Sequence, residues 1–196
     1  MTPLLATLAG DSARGYGMFG GVLSGDFNSI STVTLTTTAA TVTFSSIPSI
    51  YTHLQIRAMA INTAGASGNY TILNFNGDTG NNYSWHYSMG DGTNGYTGGN
   101  NTTGSIRFDQ VRGATNSNSY PQSTVMDILN YTNTNMNTTT RALDGGDGNG
   151  AGGVSLNSGA WYNTAAVTSI VLSAYSTGSA STFGINSSFA LYGIKG

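Results

Sequence analysis

Two histidines and eight aspartates are the side chains best suited to acid–base chemistry near neutral pH, since the chain has no Glu and no Cys. A Ser-His-Asp relay needs a nucleophile, a base and an orienting acid within mutual reach. The base would have to be His53, in Tyr51-Thr52-His53-Leu54, or His86, in Trp85-His86-Tyr87. Neither stands beside a nucleophile-elbow motif, so each reads as a hydrogen-bonding strand residue. Glycoside hydrolysis needs two placed carboxylates. Asp11, Asp26, Asp78, Asp91, Asp144 and Asp147 fall in turn or terminal contexts, where Asp bonds the backbone of its own turn. Asp109 and Asp127 lie near strands, and Asp127 is expected in an ion pair with Arg57, Arg107, Arg112 or Arg141. The run Asp144-Gly145-Gly146-Asp147-Gly148-Asn149-Gly150 has the composition of a calcium loop. It lacks the spacing and the closing Glu, and reads as a hairpin tip. The glycines form no dinucleotide or phosphate-loop fingerprint. No catalytic, cofactor-binding or metal-binding residue is therefore assigned, no cofactor is expected, and the chain reads as non-enzymatic.

Sugar binding is a separate possibility, because it needs aromatic faces and uncharged polar groups rather than acids. Trp85, Tyr96, Trp161 and Tyr162 have the right chemistry. Trp85 alternates with Tyr83 and Tyr87, and Trp161 also stands in a strand context, so both tryptophans are expected in the core.

Charged residues make up 7% of the chain and the formal net charge is -2. That excludes a basic footprint for nucleic acid. No apolar run approaches the roughly 20 residues of a spanning helix, so membrane insertion is not expected. The opening Met1 to Gly10 has a broken apolar run and no positive flank, which reads against a secretion signal. Hydrophobic residues are 38% and aromatics 10%, enough to build a core. The polar remainder is Gly, Ser, Thr and Asn, of which Thr favours strands and Gly and Asn favour turns.

Those groups must be positioned by strands. Residues 31 onward alternate apolar and polar, the mark of half-buried strands. Candidate strands are 33–35, 42–44, 53–59, 70–75, 83–89, 106–108, 125–131, 138–143, 160–162, 167–175 and 182–194, the last broken near Asn186. No segment has a helical period. The expected architecture is an all-β, antiparallel two-sheet sandwich of the jelly-roll type over residues 31–196, in which the first and last strands can pair. Residues 1–30 read as an extended N-terminal arm that docks on something through Leu4, Leu5, Leu8, Arg14, Tyr16, Met18 and Phe19. Loops at 90–104, 112–122 and 144–153 place Tyr96, Asn100, Asn101, Tyr120, Asp144, Asp147 and Asn149 as candidate host-contact residues on a rigid scaffold.

Four segments carry a family resemblance: Phe44-Ser-Ser-Ile-Pro-Ser-Ile-Tyr51-Thr-His-Leu-Gln-Ile-Arg57; Asn82-Tyr-Ser-Trp-His-Tyr with the Gly90-Asp-Gly92 turn; Asp127-Ile-Leu-Asn-Tyr-Thr-Asn-Thr-Asn135 with Arg141; and Trp161, Ala166 to Ile170 and Ser187 to Lys195. Over roughly residues 30–196 the chain resembles structural proteins of marine and cyanobacterial tailed bacteriophages. The resemblance implies a virion component of the fibre, spike or decoration type, often trimeric, and brings no catalytic residues. The expected role is a tail fibre or appendage held by its arm, with its loops toward a host-surface glycan or protein. The alternatives are a capsid decoration protein on the phage head and a secreted carbohydrate-binding module. So few charges guard the strand edges that a homo-oligomer is expected to bury them; the trimer comes from the resemblance alone.

Overall fold

The computed structural model describes residues 26–64, 69–108, 121–147, 152–177 and 181–196. Within them lie twelve strands and no helix: β1 Phe27–Thr34, β2 Thr41–Phe44, β3 His53–Ala60, β4 Asn69–Phe75, β5 Tyr83–Gly90, β6 Gly95–Thr103, β7 Ile106–Phe108, β8 Gln122–Leu129, β9 Thr138–Asp147, β10 Gly152–Trp161, β11 Ile170–Ser176 and β12 Ser188–Ile194. They form two antiparallel sheets, a large one in the order β1-β12-β3-β8-β9-β10-β5-β6 and a small one in the order β2-β11-β4-β7. The all-β sandwich read from alternation is the fold, and its first and last strands pair with each other.

Alternation decides the inner faces. Leu54, Ile56 and Ala58 of β3, Met126 and Ile128 of β8, and Phe189 and Leu191 of β12 point from the large sheet into one core. Val42 and Phe44 of β2, Leu73 and Phe75 of β4, Ile106 and Phe108 of β7, and Ile170 and Leu172 of β11 meet them from the small sheet. Each such side chain contributes about 1.5–3 kcal/mol by leaving water. Trp161 closes one end, its ring 5.5 Å from that of Phe75 and 6.2 Å from that of Tyr83. The turn after β4 has Asn76 and Gly77 at φ 53° and 69°, which places Asp78 beneath that cluster.

Eight strands, β1–β4, β7, β8, β11 and β12, divide equally between the sheets, as 1-12-3-8 and 2-11-4-7. The other four are the hairpins β5–β6 and β9–β10, which pair through β5 and β10 and widen the large sheet. The small sheet has no such extension, so its edge strand β7 packs against β5 and β10.

Several element boundaries differ from the sequence reading. β1 starts at Phe27, inside the segment read as an arm: Phe27 stacks on Tyr192, the polar Ser31 pairs with Leu191, and an irregularity between Ser29 and Ser31 breaks the alternation. Residues 90–104 are not a loop: after a tight turn at 91–94, Gly95–Thr103 pairs with β5 along its length. The segment has almost no apolar side chains, so it carries no period-2 signal. Backbone bonding and a flat fit onto β5 hold it, with the Tyr87 ring lying over Gly98 and the His86 ring over Gly99. Likewise β9 runs on to Asp147 and β10 begins at Gly152, so 144–147 and 152–153 are strand rather than loop. Gly152 and Gly153 face backbone oxygens of Gly146 and Gly90 so closely that no Cβ would fit, which is why a glycine run pairs here instead of looping.

Candidate functional site

Among the described residues, Asp78, Asp91, Asp127, Asp144 and His53 accept hydrogen bonds from neighbouring turns and strands. Asp78 accepts from the Trp161 indole N–H at 2.8 Å, the Asn82 amide at 2.8 Å and the Gly80 backbone N–H at 2.8 Å. Those donors, led by Asn82 and Gly80, hold its carboxyl below the ordinary value. Asp91 accepts from the backbone N–H groups of Thr93 and Asn94 in the β5–β6 turn and from the Tyr96 hydroxyl, and is lowered by the same bonds. Asp127 accepts from Gln55 at 2.9 Å and pairs with Arg141 at 3.3 Å, the ion-pair role expected of it, with Arg141 as the partner. Asp144 is buried and accepts from Ser155 at 3.1 Å and from the Asn157 amide. His53 accepts from the Asn130 backbone N–H at 3.0 Å, and His86 is exposed on the outer face of β5. Among the described residues no three His, Asp, Glu or Cys side chains converge as a metal site.

The proposed contact residues separate. Tyr96, Asn100 and Asn101 stand on the edge strand β6, not on a loop. Asp144 faces inward to β10 rather than outward, because the β9 alternation that exposes Leu143 buries its neighbour. Asp147 is exposed at the end of β9. It lines an open depression of about 610 Å³ with Asp91, Gly92, Pro121, Ser123 and Val154. Tyr120, Asn149 and the arm residues Leu4, Leu5, Leu8, Arg14, Tyr16, Met18 and Phe19 lie outside the described residues. Trp161 is core, as expected; Trp85 is only half-buried against the core. Tyr162 is exposed and its hydroxyl meets Ser84.

Two surfaces were not legible from the residue types alone. The first is the outer face of the large sheet. One cross-strand row there runs Arg57, Val125, Leu143, Leu156, Ser88, and the next runs Met59, Ser123, Gly145, Val154, Gly90. Leu143, Val154 and Leu156 are 56%, 60% and 55% exposed, and Met59 and Val125 are exposed beside them. On the other flank runs Gln55, Asp127, Arg141, Ser158, His86, in which Arg57 donates to Gln55, and Gln55 and Arg141 both donate to Asp127. The available signal was Leu143 beside Arg141 on the exposed phase of β9, and Val154 and Leu156 on a β10 phase that is more apolar than the buried Ser155 and Asn157.

The second surface gathers aromatics about Arg107 of β7. Its guanidinium carbon lies 3.6 Å from the ring centre of Tyr70, 5.1 Å from Trp85 and 5.8 Å from Tyr87. Tyr70 also stacks on Tyr175 at 4.6 Å. Burial pushes the Tyr70 hydroxyl up to about 12, against the opposing charge of Arg107 and with the help of Tyr175. These residues come from β4, β5, β7 and β11, so only the folded sandwich assembles them.

Compared with protein-family models, with curated proteins and with solved structures, the chain matches none.

Proposed function

We propose that this chain is a non-enzymatic structural protein of a tailed-phage particle, assembled as a homotrimer around the outer face of its large sheet. The observation that carries the reading is the double row Val125, Leu143, Leu156 and Met59, Val154, apolar and exposed across four adjacent strands. Monomers rarely leave a contiguous apolar patch uncovered. The two rows across four strands span about 19 by 13 Å, roughly 250 Å², so the flanking polar rows of the same face would supply the rest of the roughly 800 Å² that a stable interface needs from each partner. Three copies closing about an axis with these rows innermost would cover the patch, and the Gln55–Asp127–Arg141 row would form its polar rim.

The rest of the reading agrees with this. Asp78, Asp91, Asp127 and Asp144 are each engaged by donors of their own turn or neighbouring strand, an arrangement suited to holding shape. The strand order 1-12-3-8 over 2-11-4-7, in which each step along the eight strands changes sheet except that from β4 to β7, supports a jelly roll widened by two hairpins. The resemblance to marine phage structural proteins supports the particle, and within it a tail fibre or appendage anchored by the segment ahead of β1.

Light scattering on the full chain tests the assembly. The expected species is a trimer, and Leu143→Lys with Leu156→Lys gives a monomer that keeps its strand-rich circular dichroism. A monodisperse monomer of the unaltered chain overturns the oligomer. Immunogold labelling of particles tests the location: label on tails is expected, label on heads transfers the role to capsid decoration, and no label on either overturns the virion assignment.

A further inference from the structure

We propose that the open edge of β6 pairs antiparallel with the same edge of a second copy of this chain, about a two-fold axis at Gly98. β6 ends the large sheet on one side, and its register on β5 fixes where its backbone points. The Asp91 N–H donates to the Asn94 carbonyl, so the next pair, Gly90 and Gly95, exchanges no bonds, and the pairs beyond it alternate. Tyr96, Gly98 and Asn100 therefore bond β5, whereas Gly95, Thr97, Gly99 and Asn101 turn their N–H and C=O groups outward. All four are exposed, and among the described residues no strand or loop bonds those groups. The other sheet edges are blunted. β7 and β2 have three and four residues, and β1 is broken by an irregularity between Ser29 and Ser31. From Gly95 to Asn101 β6 has neither charge nor proline nor bulge, the devices that keep an edge from pairing. Its regular run stops only at Thr102, at φ 59°.

A second copy suits this edge because the edge is complementary to itself. About an axis at Gly98, Thr97 faces Gly99, Asn101 faces Gly95 and Tyr96 faces Asn100 of the second copy. Gly98 faces Gly98 of the second copy at a pair without mutual bonds, where strands approach most closely. Outward residues thus meet outward residues, and each such pair exchanges both of its bonds. No large side chain opposes another large one, and no like charges meet. Moving the axis toward Thr97 sets Asn101 against the β5–β6 turn, and moving it toward Gly99 draws in the Thr102 kink. The small sheet leaves the edge open, since its last strand, β7, packs against β5 and β10. The contact is about 24 Å long and one strand deep, far below the roughly 800 Å² per partner of a stable interface, so it is weak between free copies. It strengthens where copies are already held together, because tethering raises their effective concentration. The inference does not rest on the outer-face trimer: the edge joins trimers or monomers alike.

Sedimentation equilibrium of the full chain, from about 5 to about 500 µM, tests it over the range in which a weak contact fills. The dilute species reports the outer face, and any further association reports the edge. The mass is expected to rise reversibly, at least about twofold over the dilute species, as an isologous contact requires. Thr97→Pro removes an outward N–H and spares the bonds to β5. Thr97→Lys with Asn101→Lys sets like charges around the axis. Each is expected to abolish the rise and leave the dilute mass unchanged, while Leu143→Lys with Leu156→Lys, on the outer face, keeps the rise. Thermal melts identify an edge variant that does not fold, and the other then decides. A mass that does not rise overturns the proposal and leaves the edge to a strand of another protein. So does a rise that survives in the folded edge variants, or one that the outer-face variant abolishes. A monomeric dilute species with the rise intact counts against the trimer alone.

Discussion

Gly193 of β12 lies directly beneath the ring of Tyr51: a Cβ on that glycine would stand 2.3 Å from Tyr51 Cγ and 2.3 Å from its Cδ2. These atoms are next to the Tyr51 stem, so the ring cannot swing clear without moving the Pro48–Tyr51 bend that enters β3. Both residues stand in segments that carry the phage resemblance, and one function of those segments is this close packing. Gly193→Ala is expected to destabilise the fold by about 1–3 kcal/mol through overpacking. Calorimetry should show a melting temperature lower by about 2–12 °C. Tyr51→Ala combined with Gly193→Ala should cost less than the sum of the two.

Asp78 joins the β4 turn to the end of β10 through Trp161. Its folded value is below the ordinary 3.8, so its bonds stabilise the protein fully above 3.8 and are lost as pH falls through the lower folded value. Asp78→Asn keeps one acceptor but turns an amide toward donors, and is expected to cost about 2 kcal/mol at neutral pH. Urea melts at a series of pH values should show that gap narrowing below 3.8. A gap independent of pH would remove the carboxylate from the account.

Tyr70 gives the opposite sign at the alkaline end. Its folded value, about 12, lies above the ordinary 10, chiefly through burial. Between those values the unfolded chain ionises this phenol and the folded protein does not, so stability falls as pH rises through that window. Tyr70→Phe should flatten that decline, as measured by denaturant melts across the same range.

Arg141 and Asp127 form an ion pair whose arginine side chain is 65% exposed. Arg141→Ala is therefore expected to change monomer stability by less than about 1 kcal/mol. If the outer face is a subunit interface, the same variant should instead weaken assembly, and more so at low salt. Comparing melting with the trimer dissociation constant separates the two effects.

The strands that were legible are those in which water sorts the side chains. Leu54, Ile56 and Ala58 alternate with His53, Gln55 and Arg57, and Tyr83 to Met89 alternate likewise, so one face of each must be buried wherever the partner lies. The same rule failed at β6, where Tyr96 is the only large side chain in nine residues. There the backbone of β5 sets the conformation, and no side-chain pattern records it. Asp144 was misplaced for a related reason: Asp144-Gly145-Gly146-Asp147 is turn chemistry in isolation, and pairing with β10 turned it into strand.

Composition and periodicity by themselves determined the class: an all-β sandwich with few charges, no thiols and no clustered acids. They depend only on which residues leave water. The tertiary structure decided what the outer residues do. Leu143 and Leu156 are more than eighty residues from Arg57 and Met59 in the chain, and register alone sets them in adjoining rows on one face. Arg107 reaches rings from β4 and β5 because the widened large sheet passes the edge of the small one. Such neighbourhoods follow from long-range pairing, which alternation permits in many registers and the packed core selects in one.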